Sequence, residues 1–287
     1  MKSFHSAFLR IASLSCVGLA TLVPVAPAHA ALETFSATGS NATDIQSTVD
    51  SFRTVLGTLN PNVSGSAGSG RREINWDGVP DALSAPNNLP ANFFNVNSPR
   101  GVVFSTPGSG FQVSATAASG TPIEFGNINA SYPTLFTTFS PQRLFTALDS
   151  NIVDVNFFIP GGATPAFTTG FGAVFTDVDL ANTTSIQFFD LTNALIGTVF
   201  APNTTGNGTL SFAGGVFNAG EQIGRIRLTS GNAMLGSNEA LPGVDLVVMD
   251  DFIYGEPRAI AAVPEPAAAI PLALGLLLLA GYRRKSA

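Results

Sequence analysis

The chain has 287 residues, with 13 Lys and Arg, 19 Asp and Glu, two His and one Cys, and a formal net charge of −6. Residues 31–263 contain eight Arg, 18 acidic residues and no Lys, His or Cys, so their formal charge is −10. This inventory excludes Ser-His-Asp hydrolases, cysteine nucleophiles, Schiff-base lysines and the usual zinc sites from that segment. Its negative charge also argues against nucleic acid as a partner, and the lack of Cys excludes a disulfide framework.

The first 30 residues are typical of a secretory signal peptide. Lys2 and Arg10 form a positively charged region, and residues 11–23 are mostly apolar. Ala28 and Ala30 occupy the small-residue positions that precede a signal cleavage site. We therefore predict that residues 1–30 form a signal peptide, that they are removed, and that the protein is exported across the inner membrane.

After a short predicted strand at residues 33–38, the pattern becomes that of an amphipathic helix. Apolar residues recur at helical spacing on one face, at Ile45, Val49, Phe52 and Leu56. Thr43 begins a capping-box order, and Gly57 lies where a helix C-terminus commonly has a glycine. The sequence predicts one helix, at residues 43–56.

Residues 71–78 contain the only Trp of the chain among several charged residues. In a functional interpretation, Trp76 stacks on a sugar ring, while Asp77 and Arg72 bond to its hydroxyl groups. The alternative is structural: Trp76 is buried in the core, and the arginines pair with nearby acids. The sequence predicts a ligand site here only under the first interpretation.

From residue 101 onward the pattern is almost entirely that of short β-strands separated by Gly, Pro, Asn and Ser. The predicted strands are 102–104, 111–113, 135–139, 144–148, 152–159, 171–178, 185–189, 196–200, 209–212, 223–228 and 244–254. This pattern predicts an all-β fold, an antiparallel β-sandwich or jelly roll with one N-terminal helix, occupying residues 31–257. The 23 Phe lie mostly at strand positions, where burial would stabilise the core.

Two pairs of acids fall at or inside predicted strands. Asp177 and Asp179 close one strand and are expected to lie on the same face, and Asp250 and Asp251 interrupt the apolar final strand. Carboxylates in an apolar strand need a partner, and Ca²⁺ would satisfy them through oxygen ligands without His or Cys. We predict that structural calcium, if bound, is held by some of these four residues.

The final predicted strand, within residues 245–254, loosely resembles the terminal strand of carbohydrate-binding jelly rolls. The resemblance implies an Asp of that strand on a structural calcium. Pairing of the acids with Arg225 or Arg227, or simple exposure to solvent at a sheet edge, would also account for them.

Residues 258–287 form a separate C-terminal segment, which we call the sorting tail. A Pro-rich motif is followed by an apolar stretch at residues 267–282 and then by a basic cluster; the motif and cluster residues are Val263, Pro264, Glu265, Pro266, Arg283, Arg284 and Lys285. The apolar stretch is slightly shorter than the roughly 20 residues that span a bilayer comfortably. The basic cluster predicts a cytoplasmic end, which leaves the extended Pro-rich motif accessible on the outer side.

This order of motif, apolar helix and basic cluster resembles the PEP-CTERM sorting tail of Gram-negative bacteria. The resemblance covers about a tenth of the chain. It implies recognition and cleavage by a membrane exosortase, transient anchoring through the C-terminal transmembrane helix, and release to the cell surface or medium, in cells that make extracellular polysaccharide. An ordinary C-terminal anchor after a Pro-rich linker is the alternative.

Three functional hypotheses remain open from the sequence. The first is a non-catalytic component of the extracellular matrix that binds extracellular polysaccharide or cell-surface glycan, or acts structurally. The second is a glycan-active enzyme that uses two carboxylates and therefore needs no His. The third is an adhesin that binds protein.

Overall fold

The computed structural model describes residues 32–237 and 241–261. The predicted signal peptide at residues 1–30, with Ala28 and Ala30, and the sorting motif, basic cluster and transmembrane segment of the sorting tail lie outside these residues. None of the helices among the described residues is long and apolar enough to span a bilayer.

Short strands dominate the described residues. They are β1 Leu32–Gly39, β2 Arg71–Ile74, β3 Val102–Ser105, β4 Gly110–Val113, β5 Phe145–Leu148, β6 Ile152–Phe157, β7 Ala166–Phe167, β8 Gly170–Thr176, β9 Ser185–Asp190, β10 Leu195–Phe200, β11 Leu210–Phe217, β12 Ile223–Thr229, β13 Val248–Gly255 and β14 Arg258–Ala259. Two α-helices, α1 Ala42–Leu56 and α2 Phe93–Val96, and three 3₁₀ turns, Asp81–Leu83, Ala117–Ser119 and Tyr132–Thr134, accompany them.

The strands form two main sheets, in which every strand pairing is antiparallel. The larger sheet has the order β1-β11-β8-β13-β5-β4, and β2 also pairs with β13. The smaller sheet has the order β10-β9-β12-β6-β3, and β14 pairs with β7 separately. The predicted all-β, antiparallel fold is confirmed for the described residues.

The main core lies between the two sheets. Aromatic and β-branched residues of both sheets belong to one buried cluster, including Phe145, Phe171, Phe175 and Phe252 from the larger sheet and Phe104, Val155, Phe188 and Ile226 from the smaller. Along β6 the burial alternates residue by residue, as expected for a strand with one face on a core. The fold is therefore a β-sandwich whose stability rests largely on burial of aromatic side chains.

Helix α1 packs on the outer face of the larger sheet. Its predicted apolar stripe is buried there, and Phe52 contacts Phe212 with ring centroids 5.4 Å apart. The ring of Phe52 also lies over Gly172 and Gly214, where an added Cβ would come within 2.8 and 2.9 Å of it. Glycine at these two positions therefore lets the helix approach the sheet closely.

The helix begins at a different cap from the one predicted. Asn41, rather than Thr43, is the N-cap, and its side-chain oxygen accepts a hydrogen bond from the Thr43 N–H at 3.0 Å. The Asp44 carboxylate in turn accepts from the Asn41 N–H at 3.2 Å. These reciprocal bonds satisfy N–H groups that a helix start leaves without intrahelical partners.

Two strand predictions were wrong in placement, and one strand was not predicted. Residues 135–139 form no strand; they follow the 3₁₀ turn Tyr132–Thr134, and Leu135 and Phe136 are buried in a separate cluster beside the sandwich. Strand β2 was missed, because three of its four residues are charged. The last strand begins at Val248, later than the predicted residue 244.

Candidate functional site: a polar cleft beside a bulge in β13

A β-bulge in β13 places two consecutive carboxyl groups on one side of the larger sheet. Met249 pairs with Phe175 and Phe252 with Ala173, so Asp250 and Asp251 together oppose a single residue of β8. Met249 and Phe252 both belong to the core between the sheets. The extra residue therefore directs both acids to the outer face, where α1 packs.

Both carboxyl groups are buried and contact the segment that precedes β5. Asp250 Oδ2 accepts hydrogen bonds from the Phe139 N–H at 2.6 Å and the Ser140 N–H at 3.2 Å. Asp251 Oδ1 accepts a hydrogen bond from the Ser140 hydroxyl at 2.6 Å. The two acids thus hold residues 139–140 against the sheet.

Burial raises the pKa of both acids, and repulsion by Asp251 adds to this effect at Asp250. Burial raises the pKa of Asp250 well above its ordinary value, and the neighbouring Asp251 charge raises it further. Burial also raises the pKa of Asp251 to about 6, although the Ser140 hydroxyl and the Arg53 charge act in the opposite direction. Two adjacent carboxylates away from water favour a shared proton, and Asp250 is the acid that holds it.

Arg53 links this pair to a third acid. Its guanidinium bonds to both carboxylate oxygens of Glu73 at 3.0 Å, and its Nη2 lies 3.4 Å from Asp251 Oδ2. Arg71 Nε also donates to Glu73 Oε1 at 2.7 Å. Side chains from α1, β2 and β13 therefore form one charged network.

This network forms one wall of a polar cleft with a volume of about 330 Å³. Most of the lining side chains carry hydrogen-bonding groups; the lining residues are Arg53, Leu59, Asn60, Asn62, Glu73, Asn75, Arg100, Ser140 and Asp251. A volume near the lower end of the range for ligand sites suits one small ligand. The cleft is the best candidate binding site among the described residues.

The predicted sugar platform at Trp76 was wrong. Trp76 is 1% exposed and stacks on Phe145, with ring centroids 4.1 Å apart and planes 4° apart. Its Nε1–H donates to the Asp250 carbonyl oxygen at 2.8 Å. The indole therefore belongs to the core between the sheets and presents no face to a ligand, as in the structural interpretation.

The predicted partners of Trp76 are engaged elsewhere. Arg72 is 1% exposed and makes two hydrogen bonds to Glu256, at 2.7 and 2.9 Å. Asp77 accepts a hydrogen bond from the Gln142 N–H at 2.6 Å, and partial burial raises its pKa. Arg72 and Asp77 therefore do not converge on a common ligand with Trp76.

The predicted calcium residues fall in two different environments. Strand β8 ends at Thr176, and Asp177 has a φ of 71°, so the strand alternation used to place Asp177 and Asp179 on one face does not extend to them. The Asp179 carboxylate accepts from the Gly206 N–H at 3.3 Å. The part of the chain that the structure describes contains no group of three or more His, Cys, Asp or Glu arranged to hold a metal. Calcium binding stays a prediction.

Arg225 and Arg227, the possible partners of these acids, pair with a different acid. Arg225 and Arg227 bond to Asp154 on the neighbouring strand β6, at 2.6 and 2.9 Å. Neither residue belongs to the cleft.

Comparison of the chain with family models, curated proteins and solved structures gave no match.

Sequence reasoning missed most of the residues that form the cleft. In the sequence, Glu73 is one acid of the charged segment 71–78, and Arg53, Arg100 and Ser140 lie in none of the patterns that predict a site. Arg53 and Asp251 are 198 residues apart in the chain. Their contact depends on how α1 and β13 pack, so no local motif could have indicated it.

Proposed function

We propose that this chain is an exported, surface-associated protein without catalytic activity, sorted through its PEP-CTERM tail, and that its β-sandwich binds a glycan. The observation that carries the binding role is the polar cleft, whose walls combine amide, hydroxyl, guanidinium and carboxylate groups. Such a lining matches a ligand that carries many hydroxyl groups, because each hydroxyl both donates and accepts hydrogen bonds.

The sorting role rests on the sequence of the tail. The Pro-rich motif, the apolar stretch and the basic cluster occur in the order that the PEP-CTERM resemblance requires. The lack of His, Lys and Cys in residues 31–263 supports binding rather than nucleophilic catalysis. Extracellular polysaccharide of the producing cell is the proposed partner of the cleft, and an exosortase is the proposed partner of the tail.

The sorting proposal is tested by expressing the full chain in a Gram-negative host that has an exosortase. Intact-mass measurement of the protein recovered outside the cell should show loss of residues 1–30 and cleavage near residues 264–266. A Glu265→Ala variant in the same host is the matched comparison. An exported protein that retains an intact sorting tail would contradict the proposal.

The binding proposal is tested by affinity electrophoresis of the processed protein in gels that contain the host's extracellular polysaccharide. Asn62 lines the cleft and is exposed, so Asn62→Ala should reduce retardation by the polysaccharide. Asn218 is exposed outside the cleft, and Asn218→Ala is the matched control. Equal retardation of both variants and the parent protein would rule out the cleft as the glycan site.

One observation favours a second candidate, a glycan-active enzyme. Glu73 and Asp251 line the same cleft and both contact Arg53 Nη2, at 3.0 and 3.4 Å. Asp251, whose burial raises its pKa to about 6, has the property of a general acid, and Glu73 would act as the second carboxylate. Hydrolysis of oligosaccharides that is lost in both Glu73→Gln and Asp251→Asn, but kept in Glu33→Gln, would establish this role.

A further inference from the structure

Most arginines of residues 31–263 have an acidic partner, and one exception lies in the cleft. Six of the eight make an ion pair within 4 Å: Arg53, Arg71, Arg72, Arg143, Arg225 and Arg227. Arg100 and Arg258 make none with the described residues. Because acidic residues outnumber arginines in residues 31–263, an arginine without a carboxylate is unusual in this chain.

Arg100 is held in place mainly by groups that leave its charge unbalanced. Its guanidinium lies 5.1 Å from the centre of the Phe94 ring, and its Nη1 donates to the Ser98 hydroxyl. The Tyr254 hydroxyl donates to the Arg100 carbonyl oxygen at 3.0 Å, which fixes the backbone. Arg100 Nε is buried and has no hydrogen-bond partner among the described residues.

This environment penalises the positive charge of Arg100. Burial lowers the pKa of its guanidinium; Tyr254 acts in the opposite direction, and the nearby Arg72 charge acts in the same direction as burial. A partly desolvated cation with unused N–H donors is stabilised when an anion enters its reach. The structure supplies the cation and the cleft, while the anion has to come from a ligand.

The remaining lining restricts what kind of anion fits. Glu73 and Asp251 add negative charge to the same cleft, which the single charge of Arg53 balances only in part, and this disfavours a doubly charged group such as phosphate. A carboxylate carries a single charge, and its two oxygens match the planar fork of a guanidinium. Asn62, Asn75 and Ser140 offer neutral donors and acceptors for further polar groups of the same ligand.

We propose that the cleft binds an acidic sugar, with the sugar carboxylate paired to Arg100 and its hydroxyl groups bonded to Asn62, Asn75 and Ser140. This inference rests on the proposed glycan-binding function and narrows it to a class of ligand. It selects uronic acid residues over neutral sugars of the same size.

The test is isothermal titration of the full-length protein with D-glucuronate, D-glucose, tri-galacturonate, maltotriose and acetate. We expect each acidic sugar to bind at least tenfold more tightly than its neutral counterpart, and acetate to bind more weakly than glucuronate. Arg100→Gln should abolish the preference for the acidic sugars. Arg100→Lys should retain only part of it, because Lys lacks the bidentate geometry of a guanidinium.

Arg258→Gln is the matched control, since Arg258 likewise has no acidic partner among the described residues but lies outside the cleft. Its binding should equal that of the parent protein. Melting curves of all variants verify that each one is folded.

Neutral sugars bound as tightly as acidic ones, or a preference that survives Arg100→Gln in a folded protein, would overturn the acidic-sugar inference and leave glycan binding standing. Acetate bound as tightly as glucuronate would reduce the cleft to a general carboxylate site. Failure of every sugar to bind would count against glycan binding itself.

Discussion

Asp250 accepts hydrogen bonds from two successive backbone N–H groups, those of Phe139 and Ser140, inside the protein. Asp250→Asn keeps a side-chain oxygen that can accept from them, and its NH₂ group can replace the proton that Asp250 holds toward Asp251. Asp250→Ala leaves both N–H groups without this acceptor, at about 1–3 kcal/mol for each buried group. We therefore expect Asp250→Ala to be less stable than Asp250→Asn by roughly 2 kcal/mol or more in urea unfolding at pH 7.

Glu33→Ala serves as the control for this comparison, because Glu33 is exposed on β1. Its free energy of unfolding should lie within about 0.5 kcal/mol of the parent protein. If Asp250→Ala and Asp250→Asn proved equally stable, the carboxyl oxygens would have no part in holding residues 139–140.

Strand β13 carries the acid pair, and it gives the protein a pH dependence of unusual sign. The pKa of Asp251 is raised to about 6 and that of Asp250 is raised well above its ordinary value, both mainly by burial. At pH values above the ordinary pKa of Asp, the folded state thus binds more protons than the unfolded state. The contribution of these two groups to stability is present below that value and is lost as the pH rises through the folded pKa values.

We accordingly expect the free energy of unfolding, measured in urea at intervals from pH 4 to pH 8, to contain a component that falls across pH 4 to 6. One unit of pKa shift corresponds to about 1.4 kcal/mol, so Asp251 alone contributes a change on the order of 3 kcal/mol. The difference between Asp251→Asn and the parent protein should therefore grow in favour of the variant as the pH rises. A difference that is constant from pH 4 to pH 8 would show that Asp251 titrates normally.

The close contact between α1 and the larger sheet predicts how substitutions at Gly172 and Phe52 affect stability. Gly172→Ala places a Cβ within 2.8 Å of the Phe52 ring, so the helix has to shift or the strand has to bend. Overpacking of this kind costs about 1–3 kcal/mol. In a Phe52→Ala background the added methyl group still lies within 2.9 Å of the Phe212 ring, but that ring can move into the space that Phe52 leaves, so Gly172→Ala should then cost less.

Urea unfolding of the two single variants and the double variant measures this coupling. Phe52→Ala alone should lose about 3–5 kcal/mol, because the ring is fully buried. Additive effects of the two substitutions would mean that contact with Phe52 does not set the cost of Gly172→Ala.

The elements that sequence patterns could predict were those with a local signal. The helical stripe ending at Leu56 gave α1 almost to the residue, and the alternation in β6 gave a half-buried strand. The Gly-rich part of β11, Gly214 and Gly215, resembles a turn in sequence, yet it continues as strand because Phe52 and Phe188 pack against these glycines. The bulge at Asp250 was equally hidden, since a bulge is defined by the pairing with β8.

At the scale of the whole molecule, the calcium prediction concerns thermal stability. The candidate ligands are Asp177, Asp179, Asp250 and Asp251, of which Asp179, Asp250 and Asp251 also accept hydrogen bonds within the protein. A ligand at a hundredfold excess over its Kd adds about 2.7 kcal/mol, and for a body of this size each kcal/mol shifts the melting temperature by about 2–4 °C. If calcium is bound by some of these residues, EDTA should lower the melting temperature by several degrees, and Asp177→Asn and Asp250→Asn should each blunt that effect. A melting curve that EDTA leaves unchanged would rule out the calcium site.

The architecture of the molecule was more predictable than its candidate site. Short apolar strands and turn residues indicate a sandwich because each strand carries its own pattern. The cleft brings together α1, β2, the segment at Ser140 and the middle of β13, which are far apart in the chain. The charged residues of these elements have ordinary local patterns, so only the packed fold shows which of them meet.

The position of β13 in the sheet also sets the order in which the β-sandwich can fold. This strand pairs with β8, β5 and β2, yet it is the last strand of the larger sheet to leave the ribosome. Strand β1 likewise has no partner until β11 has been made. Pairings between such distant segments form slowly, which favours a long-lived unfolded chain during synthesis. We therefore expect residues 31–257 to stay unfolded until almost all of them have been made, which suits the proposed export across the inner membrane.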